Sequence, residues 1–331
     1  MPRVKRFAFI PLVGALLMPV LSCGSRHDSD EKYVLISANI QVPYWQMAKA
    51  GFFQAARDLQ VRSEFAGPDT YDPKGQAEEF RKAVAQKPTG LLISAADVAL
   101  MKPEVDAAIA AGIPVITIDS DVPDSKRLFF IGTNNYQAGV MGGRRMAQEL
   151  HGKGNVVVFT MPSQTNLQER LRGYQDAFAG TQVKVARVVD IKGDPRVAFD
   201  TTTQIVAKEK DKIDGFVCLE AQGGKEVATV LSNSNISGKV VMAMDTDPDT
   251  LEWVRKGVIA ATISQKPYTM GYFGLKVLDD LHHHKLKSLD ADWAKDSVAP
   301  IPSFVDTGSS LVDKSNLDAF QQAQQSVTSS K

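Results

Sequence analysis

Short apolar runs rich in β-branched residues alternate with longer amphipathic segments from Tyr33 onward. The first run, residues 33–38, precedes a segment in which Trp45, Phe52 and Leu59, with alanines between them, form one apolar stripe at helical spacing. Strands that are apolar on both faces are typical of parallel sheets, because helices cover both sides of such sheets. The alternation therefore predicts an α/β fold.

The alternation runs twice along the chain. The predicted strands of the first run are residues 33–38, 90–94, 115–118 and 128–132. Those of the second run are residues 156–160, 183–190, 215–219, 240–243 and 260–263. Two successive runs of similar size predict two doubly wound parallel-sheet lobes. No long linker separates the runs, so we expect the lobes to pack closely together.

Turn and capping residues predict several helix boundaries. Asp72 followed by Pro73 is typical of a helix start, with an acidic cap and a proline in the first turn. A later helix is predicted from about Pro103, and Gly112 is expected to end it just before the strand at 115–118.

The N-terminus is typical of a secreted lipoprotein. Arg3, Lys5 and Arg6 precede an apolar run, residues 7–21, that is short for a transmembrane helix. The run ends in Val-Leu-Ser-Cys23, which resembles the bacterial lipoprotein box, in which the cysteine is acylated. We expect residues 1–22 to be a signal peptide, Cys23 the lipidation site and residues 23–32 a polar tether. The protein would then be membrane-anchored in the periplasm or at the outer cell surface. An ordinary signal peptide with an incidental cysteine is the alternative.

Charge and cysteine content exclude some classes of function. Basic and acidic residues both total 38, and this balance disfavours a nucleic-acid-binding protein, which concentrates basic charge to contact phosphates. Cys218, the second of two cysteines, lies in an apolar run and is expected to be a buried strand residue. With Cys23 acylated, no disulfide framework or cysteine-based metal site can form.

Two further sequence patterns look like metal-binding sites, but neither meets the requirements of one. Residues 245–249 carry alternating acids, yet a calcium loop of the EF type needs Gly and Glu where Thr250 and Lys256 stand. His282, His283 and His284 are consecutive on a predicted helix, so their side chains point in different directions. We therefore expect no metal ion and no cofactor.

Polar side chains follow several of the predicted strands. In open parallel sheets, ligands bind beyond the carboxyl ends of the strands. The candidates at these ends are Asn39, Asp97, Asp119 and Asn134 in the first run, and Glu220, Asp245 and Gln265 in the second. Such groups can hydrogen-bond the hydroxyls of a polyol, although each one alone could equally be a helix cap or turn residue. Tyr44 and Trp45 start the first helix, where an aromatic ring could stack on a sugar ring.

Several stretches of the chain resemble the periplasmic sugar-binding proteins of ABC transporters, of the ribose-binding type. The most specific are residues 90–97 (GLLISAAD), 111–119 (AGIPVITID) and 131–139 (IGTNNYQAG), with 170–173 (RLRG) and 261–265 (ATISQ). The resemblance spans about residues 33–324. It implies a monomer of two lobes joined by a three-strand hinge, with the ligand cleft between them. The implied lobes are residues 33–136 with 265–300 and residues 137–264 with 301–324.

The resemblance also implies which residues contact the ligand. These are Asn39, Tyr44, Trp45, Asp97, Asp119, Arg170, Asp245 and Gln265. Among them, Asp97 matches an aspartate that accepts sugar hydroxyls, and Arg170 matches an arginine that donates from the other lobe. Two positions depart from the family pattern: Glu220 replaces the usual asparagine, and Arg196 falls near a second aromatic position. If both line the site, a polyol, an amino sugar and an acidic sugar all remain open.

The expected function is capture of a monosaccharide-like ligand by hinge closure and its delivery to an ABC permease. A sensor subunit that presents the ligand to a membrane receptor kinase is the alternative, and sequence does not separate the two. Sugar-responsive transcription regulators share the fold but carry an N-terminal helix-turn-helix, which is replaced here by the signal sequence. An enzyme is not expected, since the chain has neither a Gly-x-Ser-x-Gly elbow nor a Walker-type phosphate loop.

Overall fold

The computed structural model describes residues 27–28, 30–293 and 295–329, with side chains described as far as residue 325. The predicted signal peptide and Cys23 lie outside the described residues. The predicted tether ends earlier than expected, because Glu31 is buried and Lys32 begins the first strand. No helix in the described part of the chain has both the length and the apolar character needed to cross a bilayer.

The elements alternate as the sequence predicts. The strands are β1 Lys32–Ile36, β2 Arg62–Ala66, β3 Gly90–Ile93, β4 Val115–Ile118, β5 Phe130–Gly132, β6 Lys153–Thr160, β7 Gln182–Asp190, β8 Gly215–Cys218, β9 Val240–Met244, β10 Ala261–Ser264, β11 Phe304–Asp306 and β12 Ser310–Asp313. The helices are α1 Pro43–Leu59, α2 Pro73–Ala85, α3 Val98–Ala110, α4 Asn135–Glu149, α5 Thr165–Phe178, α6 Pro195–Lys208, α7 Gly223–Asn233, α8 Pro248–Lys256, α9 Pro267–His283 and α10 Leu317–Ser329.

Two six-stranded sheets share one strand order. The first sheet runs β2-β1-β3-β4-β5-β11 and the second runs β7-β6-β8-β9-β10-β12. All pairs are parallel except β12, which lies antiparallel to β10. Each sheet has its own apolar core, and Cys218 is buried in the second, as expected. The two doubly wound α/β lobes are thus confirmed.

Three short segments connect the lobes. They join β5 to α4, β10 to α9 and β11 to β12. The predicted assignment of residues 301–324 to the second lobe is wrong for β11, which pairs with β5 of the first sheet. The third crossing therefore lies at residues 307–309. β11 is only three residues long and mostly exposed, so it leaves no apolar run in the sequence.

Helix α3 begins at Val98, five residues before the predicted start at Pro103. The Asp97 carboxylate accepts a hydrogen bond from the backbone N–H of Leu100 and caps the helix. Pro103 lies inside α3, where it removes one helical hydrogen bond without ending the helix.

Glycines allow α4 and α5 to cross in backbone contact. A Cβ at Gly173 would lie 2.3 Å from the carbonyl oxygen of Tyr136, and one at Gly139 would lie 2.2 Å from that of Arg170. No Cβ contact is that short in a relaxed protein, so any side chain here forces the helices apart. The crossing holds the α5 backbone at Arg170, a residue of the candidate site.

Gly173→Ala is accordingly expected to lower the free energy of unfolding by about 3 kcal/mol, because the clash is with backbone atoms that cannot rotate away. Urea unfolding followed by circular dichroism measures this. Gly75→Ala in α2 is the matched control, since the three atoms nearest to its new Cβ all belong to the side chain of Asp72, which can move, and not to backbone. Equal unfolding midpoints for the two variants would contradict the close crossing.

Candidate functional site

A cavity lies between the two lobes at the carboxyl ends of their strands. From the first lobe it is lined by Ala38, Asn39, Val42, Tyr44, Trp45, Tyr71 and Asp119. From the second lobe and the crossing after β10 it is lined by Met161, Gln164, Asn166, Leu167, Arg170, Gly193, Glu220, Ala221, Gln222, Asp245 and Gln265. Hydrogen bonds also join the lobes beside it: Thr165 Oγ1 donates to the Asp121 carbonyl oxygen over 2.9 Å. The lobes are therefore in contact around the cavity.

Asp119 and Asp245 occupy equivalent places in the two lobes. Asp119 follows β4 and Asp245 follows β9, which hold the same position in their sheets. Both adopt left-handed backbone angles, with φ of 60° and 66°, a conformation that Asp tolerates better than most residues. Their backbone N–H groups donate to Ile131 and Ile263 of the neighbouring strand. The local backbone thus turns one carboxylate from each lobe into the same cavity.

Arg170 connects the polar groups of the second lobe. Its Nε donates to Asn135 Oδ1 over 2.8 Å and its Nη1 to the carbonyl oxygen of Leu219 over 2.7 Å. Its Nη2 donates to Gln265 Oε1 over 2.8 Å, and Gln265 Nε2 donates in turn to Asp245 Oδ1 over 2.8 Å. The side chain is held from three directions and is almost fully buried, so a fixed guanidinium faces the cavity.

Tyr44 and Trp45 supply the aromatic wall of the first lobe. The Tyr44 hydroxyl donates to Asp119 Oδ1 over 2.8 Å, and Ser94 Oγ donates to Asp119 Oδ2 over 3.1 Å. The Trp45 ring meets the Tyr44 ring edge-on, with centroids 5.1 Å apart. Trp45 is 6% exposed and also belongs to the core of its lobe. It is therefore both a core residue and part of the cavity wall.

Three buried carboxyl groups in the cavity have raised pKa values. Burial raises the pKa of Asp119 and Glu220, while the charge of Arg170 opposes the rise in both. Burial raises the pKa of Asp245 from 3.8 to about 7, against the opposing effects of Arg170 and Gln265. The charges of Asp119 and Glu220 raise it further. The cavity thus holds three acids around Arg170, and Asp245 titrates near neutral pH.

Eight of the ten predicted ligand residues come together in this cavity. They are Asn39, Tyr44, Trp45, Asp119, Arg170, Glu220, Asp245 and Gln265. Asn39 Oδ1 also accepts the Gln41 backbone N–H, which shapes the loop after β1. Glu220 Oε1 and Oε2 accept the backbone N–H groups of Gly223 and Gln222. These bonds hold the Glu220 carboxylate at the start of α7.

Asp97 and Arg196 lie outside the cavity lining. Asp97 is the cap of α3, so its carboxylate is engaged with that helix. The Arg196 side chain is 84% exposed and forms an ion pair with Asp194, its Nη2 2.7 Å from Oδ2. The second residue of α6 thus faces solvent. Asp97 and Arg196 are therefore the two predicted ligand residues that do not line the cavity.

Asp121 lies two residues after Asp119 in the sequence, but its carboxylate is bound by Arg127 and Thr117. Its two oxygens accept hydrogen bonds from Nε and Nη2 of Arg127, both over 2.6 Å. Thr117 Oγ1 donates to it as well. This buried pair orders the loop between β4 and β5.

Sequence reasoning missed several polar lining residues. Gln164 and Asn166 follow β6, so the rule that ligands bind beyond strand ends could have found them. Asn166 Nδ2 lies 3.4 Å from Asp119 Oδ2 and links the lobes across the cavity. Tyr71 precedes α2 and reaches the cavity only through tertiary packing, with its hydroxyl donating to the Ala96 carbonyl oxygen over 2.6 Å.

The sequence of the chain matches one family of known proteins. A family model described as a periplasmic binding protein domain matches residues 33–285. The chain is similar to the D-allose-binding periplasmic protein of Escherichia coli K12, with 24% identity over 75% of this chain and 84% of the relative.

Solved structures are similar over most of the chain. The arabinose-binding protein AraP of Geobacillus stearothermophilus is 34% identical, with a TM-score of 0.72 over 88% of this chain and 99% of its own. The XylFII–LytSN complex contains a chain that is 27% identical, with a TM-score of 0.77 over 87% of this chain and 99% of that one. The allose and arabinose relatives are named as binding proteins, which confirms the expectation of a binding protein and not an enzyme.

Proposed function

The chain belongs to the periplasmic binding protein family, among the extracytoplasmic sugar-binding proteins of ABC transporters, and we propose that it captures an uncharged monosaccharide between its lobes. The observation that carries this proposal is the convergence of Asp119, Arg170 and Asp245 in one cavity beside the Tyr44 and Trp45 rings. Carboxylates accept and the guanidinium donates hydrogen bonds, which suits a ring of hydroxyls. The aromatic rings suit the apolar face of a sugar ring.

The charge of the cavity argues against an acidic sugar. Three carboxyl groups, Asp119, Glu220 and Asp245, share the cavity with the Arg170 guanidinium. A uronate would bring a further negative charge to acids whose pKa values burial already raises. With Arg196 in solvent, that side chain adds no compensating positive charge to the lining. An uncharged sugar fits this balance best, as its hydroxyls can satisfy the acids without adding charge.

Binding by hinge closure follows from the division of the site. Asp119 and the aromatic pair belong to one lobe, while Arg170 and Asp245 belong to the other. A sugar that bridges both sets stabilises the arrangement in which the lobes meet, by its higher affinity for that state. A wrong epimer would leave a buried polar group unpaired, at a cost of about 1–3 kcal/mol.

For the partner, we favour delivery to an ABC permease, with the protein held at the membrane through lipid on Cys23. The name of one relative, the ribose import binding protein RbsB of Bacillus subtilis, supports transport. The XylFII–LytSN complex supports the second candidate, a sensor subunit that presents the bound sugar to a membrane receptor. Loss of sugar uptake on gene deletion, restored by the wild-type chain but not by a non-binding variant, tests the transport role.

The binding proposal is tested by thermal unfolding with a panel of pentoses, hexoses, amino sugars, uronic acids and polyols. A ligand that binds only the folded state stabilises it by about 2.7 kcal/mol at a hundred times its Kd. We expect a stereoselective rise in midpoint with an uncharged sugar. No shift with any sugar would overturn the proposal, and a stronger shift with a uronate or an amino sugar would refute the uncharged ligand.

Asp119→Asn is expected to weaken binding of that sugar by about 10- to 100-fold, because hydrogen bonds to a charged acceptor contribute about 1.5–3 kcal/mol. Asn tolerates the left-handed backbone at this position and keeps the size of the side chain. Asp97→Asn is the matched control: it also follows a strand of the first sheet, but it caps α3, and Asn caps helices well. Titration calorimetry measures both affinities. An equal loss in Asp97→Asn would place Asp97 in the site after all.

A further inference from the structure

A second cluster of polar side chains lies where the chain enters the first lobe. Glu31 stands directly before β1 and His27 four residues earlier, while Asp279 and His283 lie in the last turns of α9. One nitrogen or oxygen from each of the four residues lies within 4.8 Å of all the others. None of these residues lines the sugar cavity. Two segments almost 250 residues apart thus meet in one group of metal-ligating side chains.

The distances within this cluster suit a small cation. His27 Nε2 lies 3.0 Å from Asp279 Oδ1, and His283 Nε2 lies 3.4 Å from Glu31 Oε1. A tetrahedral zinc ion with bonds of about 2.0–2.1 Å separates its ligand atoms by about 3.3 Å. The four side chains are therefore close to the spacing that such an ion requires.

The Glu31 carboxylate provides an independent indication of a ligand. Glu31 is only 4% exposed, and its Oε2 is buried without a hydrogen-bond partner among the described residues. Its Oε1 accepts the Asp28 backbone N–H over 2.8 Å. A buried carboxylate oxygen without a partner is costly, and coordination of a cation removes that cost.

Neighbouring groups orient the other side chains. His283 Nδ1 lies 2.9 Å from the carbonyl oxygen of Asp279, so an N–H there leaves the Nε2 lone pair on the side of Glu31. A metal-binding histidine typically donates its other ring N–H to a carbonyl or carboxylate in this way. The Tyr33 hydroxyl donates to Asp279 Oδ1 over 3.3 Å and steadies that carboxylate.

The donor set indicates the class of metal. Two imidazoles and two carboxylates suit Zn²⁺ and related transition metals, whereas Ca²⁺ and Mg²⁺ prefer oxygen ligands alone. The expectation of no metal site considered His282, His283 and His284 together on one helix. The structure instead places His283, and neither His282 nor His284, in a group with residues from the start of the chain.

We propose that His27, Glu31, Asp279 and His283 form a Zn²⁺-type metal site that fastens the segment before β1 to the end of α9. The metal would shorten the free part of the tether and hold the first lobe close to its point of attachment. None of its residues lines the sugar cavity, so we expect metal binding and sugar binding to be independent of each other.

The test uses the full-length protein, purified without a polyhistidine tag, equilibrated with ZnSO₄ and dialysed. Metal content is measured by mass spectrometry, and affinity by competition with a chromogenic chelator. We expect about one zinc ion per chain and an affinity at least 100-fold lower in the His27→Ala/His283→Ala variant, which loses both nitrogen ligands. Zinc should also raise the unfolding midpoint of the wild type and not that of the variant.

The His282→Ala/His284→Ala variant is the matched control, because it removes two histidines from the same helix end outside the cluster. It should retain wild-type zinc affinity. Glu31→Gln should weaken zinc binding while keeping the far-ultraviolet circular dichroism spectrum, which shows that the fold persists. Equal zinc binding in the wild type and the His27→Ala/His283→Ala variant would overturn the proposal, as would loss of zinc in the control. Sugar affinity should be the same with and without zinc, so the two proposals fail separately.

Discussion

Arg170→Lys is expected to weaken sugar binding by about 100-fold or more. The guanidinium donates at once to Asn135, Leu219 and Gln265, from three nitrogens fixed in one plane. A lysine ammonium cannot reach all three acceptors in that geometry, so at least one buried acceptor loses its partner. These bonds use three of the five guanidinium N–H groups and leave two to donate to the sugar. Loss of those two donors, at about 1.5 kcal/mol or more each, corresponds to about a hundredfold in affinity. Titration calorimetry with the sugar identified by thermal unfolding measures the loss.

Arg172→Lys is the control for this substitution. Arg172 lies two residues along the same helix, more than half exposed and paired with Glu169. The same change of residue type there should leave sugar affinity within about twofold, because exposed ion pairs contribute little. Wild-type affinity in Arg170→Lys, with unchanged stability, would show that the three-way arrangement of the guanidinium is not needed for binding.

Asp245→Asn is expected to stabilise the ligand-free protein while it weakens sugar binding. In the folded protein burial raises the pKa of Asp245 from 3.8 to about 7, so the folded state binds more protons than the unfolded state between these values. Stability therefore falls as pH rises from about 4 to 7, and this cost is fully present above pH 7. Three pKa units correspond to about 4 kcal/mol. This figure already includes the opposing attraction of Arg170, and we expect a gain of about 2–4 kcal/mol at pH 8.

The measurement is urea unfolding of both proteins from pH 4 to 8 without sugar. The stability of Asp245→Asn relative to the wild type should rise between about pH 4 and 7 and stay constant above. Asn keeps the left-handed backbone and can still accept the bond from Gln265 Nε2, so packing should change little. Asp247→Asn, at the half-buried cap of α8 and outside the cavity lining, is the control for the same change of residue in the second lobe. A difference that is flat with pH would mean that Asp245 titrates at its ordinary value.

Most of the fold could be predicted from local patterns. Strands such as β4 and β8 are apolar throughout, and the Asp72–Pro73 start of α2 carries its own cap. The elements that were predicted wrongly depend instead on contacts with distant parts of the chain. β11 is short and exposed, and its place in the first sheet depends on β5, which lies about 170 residues earlier. The start of α3 was misplaced because Pro103 is a strong local signal for a boundary, yet the cap at Asp97 and tertiary packing tolerate it.

The site divides in the same way. Strand-end position alone selected Asp119, Glu220 and Asp245, because the carboxyl ends of parallel strands necessarily meet at one edge of a sheet. It also selected Asp97, which has the same position in the sequence but caps a helix in the structure. Position along the chain does not reveal whether a carboxylate turns toward its own helix or into the cavity. The left-handed backbone of Asp119, held by Ile131 on the neighbouring strand, decides this.

The sequence by itself determined the class of fold, the two lobes and the polar residues at the strand ends of the cavity, since these depend on the periodicity of apolar residues and on the ends of strands. Only the tertiary structure decided that Arg170 links Asn135 to Gln265, that Arg196 faces solvent, and that His27 meets His283. Each of these depends on contacts between segments far apart in the chain. Such contacts follow from how the sheets and helices pack, and local residue preferences carry no record of them.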